Sequence, residues 1–274
     1  LKWVDQKGVD TPMSAPERAY DPVFAMSPDR TRAMVSLGDG GGSKLTLYDI
    51  QRGTLTPVTP PNESGSSPVW SPDGRFIYYR SAIRPGVSRV AASGGGSPEL
   101  VFAGTPGTAL APLAFTPDGR SLLVRATVDG KPDVQLLSLA GTPDLKPLIV
   151  DPEGSVDGRV SPDGRWIVYQ VSNGNGVSTQ LFLRPFPNVG GDRVPVSIES
   201  GTKPVWADNS RAIFYSVEGG GVLRVDVAPN GQLSRPVLVA PSGRSEGLGQ
   251  TTNYAIGDGR IVRIEPVVDK GKTN

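Results

Sequence analysis

Three observations predict an all-β chain folded as a six-bladed β-propeller with four-stranded antiparallel blades. A turn phrase returns at near-constant spacing, apolar runs of strand length flank each copy, and every interval leaves room for one more hairpin. The phrase is clearest in "PVWSPDGRFIYYRS" (Pro68–Ser81) and recurs in "FAMSPDRTRAMVS", "LAFTPDGRSLLVR" and "GRVSPDGRWIVYQ". Worn copies follow in "WADNSRAIFYS" and "YAIGDGRIVRI". Aligned on the third position of Ser-Pro-Asp-Gly, they place Asp29, Asp73, Asp118, Asp163, Asn209 and Asp258 at intervals of 44, 45, 45, 46 and 49 residues. Self-similarity at this period is the mark of a blade of four strands.

The second half of each interval reads as a strand, a Gly-bearing turn and another strand. The five such segments are Lys44–Thr59, Ser88–Phe102, Val134–Val150, Gln180–Ile198 and Val222–Val239. Helical spacing of apolar residues is not sustained anywhere. The start, "LKWVDQKGVDTPMSAP", reads as a second hairpin without a first, and "TTNYAIGDGRIVRIEPV" as a first hairpin without a second. The expectation is one propeller domain over 1–274, closed by a shared blade from 1–16 and 250–268, with 269–274 as a tail. Such closure leaves no open sheet edge at the seam.

Each residue of the repeated phrase suits a turn. Pro presets φ, Asp bonds to backbone amides ahead of it, and Gly accepts positive φ. The phrase is therefore read as the connection between the innermost strand and the second strand, not as a reaction site. The Arg that follows it (Arg75, Arg120, Arg165, Arg211, Arg260) is expected to meet a nearby carboxylate or carbonyl. Gly (35) and Pro (27) together make up roughly a quarter of the 274 residues, about twice average usage, and are spread along the whole chain as many turns require.

Composition removes several functions. The chain has no His and no Cys, which excludes Ser-His-Asp and Cys-His catalysis, His- or thiolate-based zinc sites, and disulfides. Net charge is +1 without a basic block, so no nucleic-acid partner is expected. No apolar run reaches the ~18–20 residues of a membrane helix, so no membrane insertion is expected within this chain. The first residue is Leu1 rather than Met, and the chain is read as part of a longer product.

The phrase "PVWSPDGRFIYYRS" followed by a Gly-turn hairpin resembles the WD-repeat-like blades of TolB-type propellers. The order "WVDQKG", "VSPDGRWIVYQVSNGNG", "LFLRPFPNVGG" and "PVWADNSRAIFYS" further resembles the propeller region at the C-terminal end of some bacterial Ser/Thr protein kinases, over essentially the whole chain. "LRPFPNVGG" (Leu183–Gly191) is its most specific part. The resemblance implies a non-catalytic sensory or interaction propeller, extracytoplasmic and carried by a membrane-anchored kinase, that binds a small ligand or an envelope protein. It does not by itself rule out a cytoplasmic location. A stand-alone periplasmic TolB-like adaptor is the alternative, and a propeller hydrolase or lyase the second. No kinase motif lies in the chain, and the resemblance supplies no catalytic residue and no cofactor.

Other motifs yield to plain readings. "GDGGGSK" (Gly38–Lys44) lies between two strands, where a phosphate loop needs a strand and a helix. The glycine-rich "SNGNGVS" and "EGGG" occupy the same place in their blades and are loops. Acidic residues are scattered in turns without a calcium pattern, so no metal site is expected. Topology sharpens one expectation. Connections between the two hairpins of a blade, and between blades, share one face, and binding residues concentrate on loops held by a rigid frame. The binding-face candidates are Tyr20, Asp21, Arg80, Arg84, Asp129, Lys131, Asp157, Asn173, Asn175, Lys203, Glu218 and Asn253.

Overall fold

Strands follow one another through the chain with no helix among the described residues. The computed structural model describes residues 2–4, 10–12, 20–38, 43–172, 179–217, 221–240, 254–257 and 260–263, with side chains for 25–37, 44–172, 179–217 and 221–240. The chain opens with an antiparallel pair, β1 (Lys2–Val4) and β2 (Asp10–Pro12). Blade 1 comprises β3 (Tyr20–Met26), β4 (Arg32–Gly38), β5 (Ser43–Asp49) and β6 (Thr54–Pro57). Blade 2 comprises β7 (Gly65–Trp70), β8 (Phe76–Ser81), β9 (Gly86–Ala91) and β10 (Glu99–Ala103). Blade 3 comprises β11 (Ala109–Phe115), β12 (Ser121–Val128), β13 (Lys131–Ser138) and β14 (Asp144–Ile149). Blade 4 comprises β15 (Ser155–Val160), β16 (Trp166–Ser172), β17 (Thr179–Pro185) and β18 (Val194–Pro195). Blade 5 comprises β19 (Thr202–Trp206), β20 (Ala212–Ser216), β21 (Val222–Asp226) and β22 (Val237–Ala240). In each blade the spatial order is the chain order, and every pairing is antiparallel.

The last strands, β23 (Tyr254–Gly257) and β24 (Arg260–Arg263), form a further four-stranded sheet with the opening pair, in which β1 lies against β24. The repeat count predicts six packed blades. Described side chains account for five; for the sheet built from both ends only strand pairing is described, because its side chains fall outside the described residues.

First strands approach one another from blade to blade (β3, β7, β11, β15, β19) and so line the axis. The repeated phrase joins each of them to its second strand, as the turn chemistry demands. Ser71 Oγ donates to Asp73 Oδ1 (2.5 Å) and accepts from Phe76 N–H (2.9 Å), while Asp73 Oδ1 also accepts from Arg75 N–H (3.0 Å). The same bonds recur at Ser27–Asp29, Thr116–Asp118 and Ser161–Asp163. The serine or threonine hydroxyl, more than any other contact, holds the Asp29, Asp73 and Asp118 carboxyls below their ordinary pKa. The fourth position is left-handed even without glycine: φ is +68° at Gly74 but also +59° at Arg30 and +60° at Ser210. The following Arg meets its expected partner at Arg165, which donates to Pro229 O (3.0 Å). Arg75 instead lies over the Phe76 ring. Arg120 and Arg211 make no such bond among the described residues.

The core is a series of seams between blades. Ile77 and Tyr79 of β8 face blade 1, packing with Met34, Leu45 and Leu47, while Tyr78 between them faces blade 3 beside Leu122 and Val124. β16 repeats the arrangement: Ile167 and Tyr169 pack on Leu123 and Val134 of blade 3, and Val168 on Ile213 and Tyr215 of blade 5. A strand covered on both faces must be apolar at successive positions, which is why "FIYY", "WIVY" and "AIFY" do not alternate. Indole groups staple two seams. Trp70 Nε1–H donates to Ala25 O (2.9 Å) across blades 2 and 1, and Trp206 Nε1–H to Arg159 O (3.0 Å) across blades 5 and 4.

Trp70→Phe and Trp206→Phe are each expected to cost about 1–2 kcal/mol, since each leaves a carbonyl without its donor. The costs should add in the double variant because the seams are separate. Urea unfolding of the four chains measures both, and a loss well below this range would show that the staples contribute nothing net.

Candidate functional site

Antiparallel alternation sorts the connections onto two faces. The repeated turns and the third-to-fourth-strand turns share a turn face, consistent with the Arg165–Pro229 bond between blades 4 and 5. Second-to-third-strand loops and blade-to-blade connections share the opposite loop face. "LRPFPNVGG" lies on the turn face: Arg184 donates to Val189 O (2.9 Å), Phe186 N–H to Arg165 O (2.9 Å), and the Phe186–Pro187 bond is cis. That specific stretch of sequence is a folded-back turn.

At the loop-face end of the first strands the ladder is broken by bulges, seen between Ser66 and Val69, Ser155 and Asp157, and Thr202 and Val205. In "SSPVW" and "TKPVW" the Pro supplies no N–H to the ladder, and the residue before it has φ +53° in both Ser67 and Lys203. A bulge re-aims its side chain. It sets half-buried Lys203 of blade 5 within the field of Asp157 of blade 4. The Lys203 amide also donates to Gln170 Oε1 (3.3 Å). Burial pulls the Lys203 ammonium down to about 8, although the Asp157 carboxylate pulls the other way. Asp157 is itself paired with Arg159 and accepts from Gly158 N–H (2.8 Å).

Arg84, in the β8–β9 loop, is already engaged. It pairs with Glu63, a fully buried carboxylate in the blade 1–2 connection that also accepts from Tyr79 Oη (2.8 Å). Burial alone would raise the Glu63 carboxyl; donors from Ser81, Arg84 and Tyr79 outweigh it and hold it below its ordinary value. Asp151, in the blade 3–4 connection, is tied to Arg193 in the same way (2.7 Å). Asp129 (φ +50°) and Gly130 (φ +80°) make the tight turn of the β12–β13 hairpin. That turn leaves Lys131 exposed beside them.

Arg80, at the end of β8, is exposed and has no hydrogen bond or ion pair among the described residues. It borders a cleft of about 330 Å³ between the β8–β9 loop and the connection to blade 3. A second groove, about 740 Å³, runs along the outer rim between Val194–Ile198 and Asn230–Pro236, away from the loop face.

Of the expected residues, the structure brings Asp157 and Lys203 together, leaves Arg80, Asp129 and Lys131 exposed, and gives Arg84 a structural partner. Tyr20 and Asp21 lie on β3 opposite Leu37 and Ser36, with side chains outside the described set. Asn173, Asn175, Glu218 and Asn253 lie outside the described residues. Glu63 and Gln170 belong to the same face, and Arg159 lies near the turn end of β15; none of the three is among the expected residues. Arg159 carried a readable signal: it is charged where the aligned positions are Ala25, Val69, Ala114 and Val205. Among the described residues no three His, Cys, Asp or Glu side chains converge as metal ligands, and no helix is long and apolar enough to cross a membrane.

The fold has counterparts among solved structures. A protein assigned as TolB from Agrobacterium tumefaciens aligns with a TM-score of 0.64 at 14% identity, over 86% of this chain and 88% of its own. TolB from Acinetobacter baumannii aligns at 0.60 and 17%, over 87% and 66%. An oligogalacturonate lyase in complex with manganese aligns at 0.60 and 15%, over 86% and 72%. Identities this low show a TolB-like β-propeller fold and nothing finer. No protein-family model and no curated protein matches the sequence.

Two pH dependences follow. A folded-state Lys203 pKa of about 8 against 10.5 unfolded disfavours the fold while the amine is charged, and this penalty is relieved as pH rises from about 8 towards 10.5. Thermal melting across that range should show an increment in the native chain that Lys203→Met lacks. For Glu63 the sign is opposite: a folded pKa below 4.5 gives stability that is present above 4.5 and lost as pH falls through the folded value. Glu63→Gln should cost on the order of 2–3 kcal/mol at pH 7, by leaving Arg84 unpaired, and flatten the acid limb of a melting curve taken from pH 6 to 3.

Proposed function

We propose that this chain is a non-catalytic binding propeller, an envelope adaptor of TolB type that recognises a partner through its loop face. The observation that carries the reading is the set of exposed polar side chains on the loop face. On the turn face, Asp29, Asp73, Asp118 and Asp163 are used up inside their own turns. On the loop face, Arg80, Asp129 and Lys131 stand exposed on a rigid frame. Rigid frames with exposed polar loops suit recognition. The likeness to two TolB structures supports this reading over a kinase-linked sensor, which has no counterpart among the structures named above. We also propose that the sheet from both chain ends is the sixth, closing blade, so that 1–274 is one ring.

The lyase likeness is the competing reading. A chain without His offers fewer bases and metal ligands for such chemistry, and the paired Asp157–Arg159 and Glu63–Arg84 carboxylates serve the fold. Site-specific photocrosslinking in the source cells tests the proposal. A crosslinker at position 131 is expected to capture a discrete partner that one at position 120, on the turn face, does not. Equal capture from position 120 would move recognition to the other face. Turnover of oligogalacturonate with manganese, scaling with purified protein, would replace the adaptor with an enzyme.

A further inference from the structure

The cleft beside Arg80 has the chemistry of a small binding site. Its floor and walls come from three stretches: the end of β8, the start of β9, and the connection from blade 2 to blade 3. Arg80 supplies an exposed guanidinium with no competing carboxylate among the described residues. Across the cleft, Thr105 and Thr108 hydroxyls meet at 2.8 Å on the exposed side and offer further polar atoms. Pro85 and Pro106 add apolar surface to a lining that is otherwise mostly polar, above the buried Leu110. The frame is stiff. Gly86 has φ +129°, and a Cβ there would stand 2.1 Å from Phe102 O, so β9 and β10 meet at a distance only glycine permits. Leu110 belongs to the seam between blades 2 and 3, which anchors the opposite wall.

Charge and shape then select the ligand. Arg84 is neutralised by Glu63, so the cleft presents one net positive charge, carried by a planar fork suited to a carboxylate. A dianion such as phosphate would find only half its charge met. Pro85 and Pro106 offer apolar contact for a few carbon atoms, and about 330 Å³ lies at the lower end of ligand-pocket sizes. We propose that this cleft binds a monocarboxylate on a short apolar body, either a free acid or the C-terminus of a peptide. The inference deepens the binding-module reading and rests on it only in taking the loop face as the recognition surface.

Calorimetric titration of the full chain tests it with benzoate, neutral benzamide, and an N-acetylated Ala-Leu dipeptide carrying a free or an amidated C-terminus. The native chain is expected to bind at least one of the two acids with a Kd of about 1 mM or tighter, and neither neutral probe. Arg80→Gln should weaken that binding roughly 10- to 100-fold, the range for a charged hydrogen bond. Arg235→Gln, on the outer rim, should leave it unchanged. Tighter binding of the free-acid dipeptide than of benzoate would identify a peptide terminus as the occupant, and the reverse order a free acid. Arg80→Lys, which keeps the charge but loses the fork, should fall between native and Gln and guards against misfolding of either variant. No binding of either acid up to about 10 mM, or equal binding by native and Arg80→Gln chains with matching melting curves, would overturn the proposal. In that case a partner still captured from position 131 would leave the adaptor reading standing, while loss of that capture alone would remove the adaptor and keep the carboxylate site.

Discussion

The second strands of blades 2, 3 and 4 are buried on both faces by the blades beside them. β8, β12 and β16 carry large apolar side chains on both faces, each packed against a neighbouring blade, and on β20 Ile213 and Tyr215 pack against blade 4. Ile77, Tyr79, Leu122, Leu123, Ile167, Tyr169 and Ile213 are all essentially inaccessible to solvent. Burial of this kind contributes about 1.5–3 kcal/mol for each large side chain, so most of the apolar stabilisation resides between blades rather than within them. A single repeat taken alone would expose both its faces, and the repeats therefore stand or fall together.

The polar architecture is arranged around those seams. Indole N–H groups of Trp70 and Trp206 reach from one blade to a carbonyl on the first strand of the blade before it, so apolar packing and hydrogen bonding act at the same contact. Buried carboxylates do comparable work in the connections. Glu63 gathers Tyr79 and Arg84 around the passage from blade 1 to blade 2, and Asp151 holds Arg193 at the passage from blade 3 to blade 4. These groups lie on or near the face that carries the exposed loops, yet they belong to the frame. What remains for recognition is the smaller set that makes no side-chain bond among the described residues, Arg80 and Lys131.

The site is accordingly a mixture of what the frame holds still and what it leaves uncommitted. Lys203 illustrates the first. Its left-handed backbone and the hydrogen bond from its backbone N–H to Gln170 Oε1 hold a desolvated amine within the field of Asp157. Arg80 illustrates the second, a charge without a partner among the described residues, at the rim of a cleft whose walls are fixed by Gly86 and Leu110. Stiff walls around an unpaired charge lower the ordering cost of binding.

Much of this was legible in the residues alone. The spacing of Asp29, Asp73, Asp118 and Asp163, the hairpins between them, and the unbroken apolar runs after each turn determined an all-β repeat fold with four-stranded antiparallel blades, because turn chemistry and strand burial are local properties. The sorting of connections onto two faces followed from counting antiparallel strands. Which loop residues are available could not be read this way. Arg84 and Arg80 stand four positions apart with the same side chain, yet one is spent on Glu63 and the other has no partner among the described residues. Asp157 and Lys203 lie one blade apart in the sequence and come within each other's field only when the seam between blades 4 and 5 closes. Partnership between charges depends on distances across blades, and those are set by packing of the folded ring rather than by any stretch of the chain.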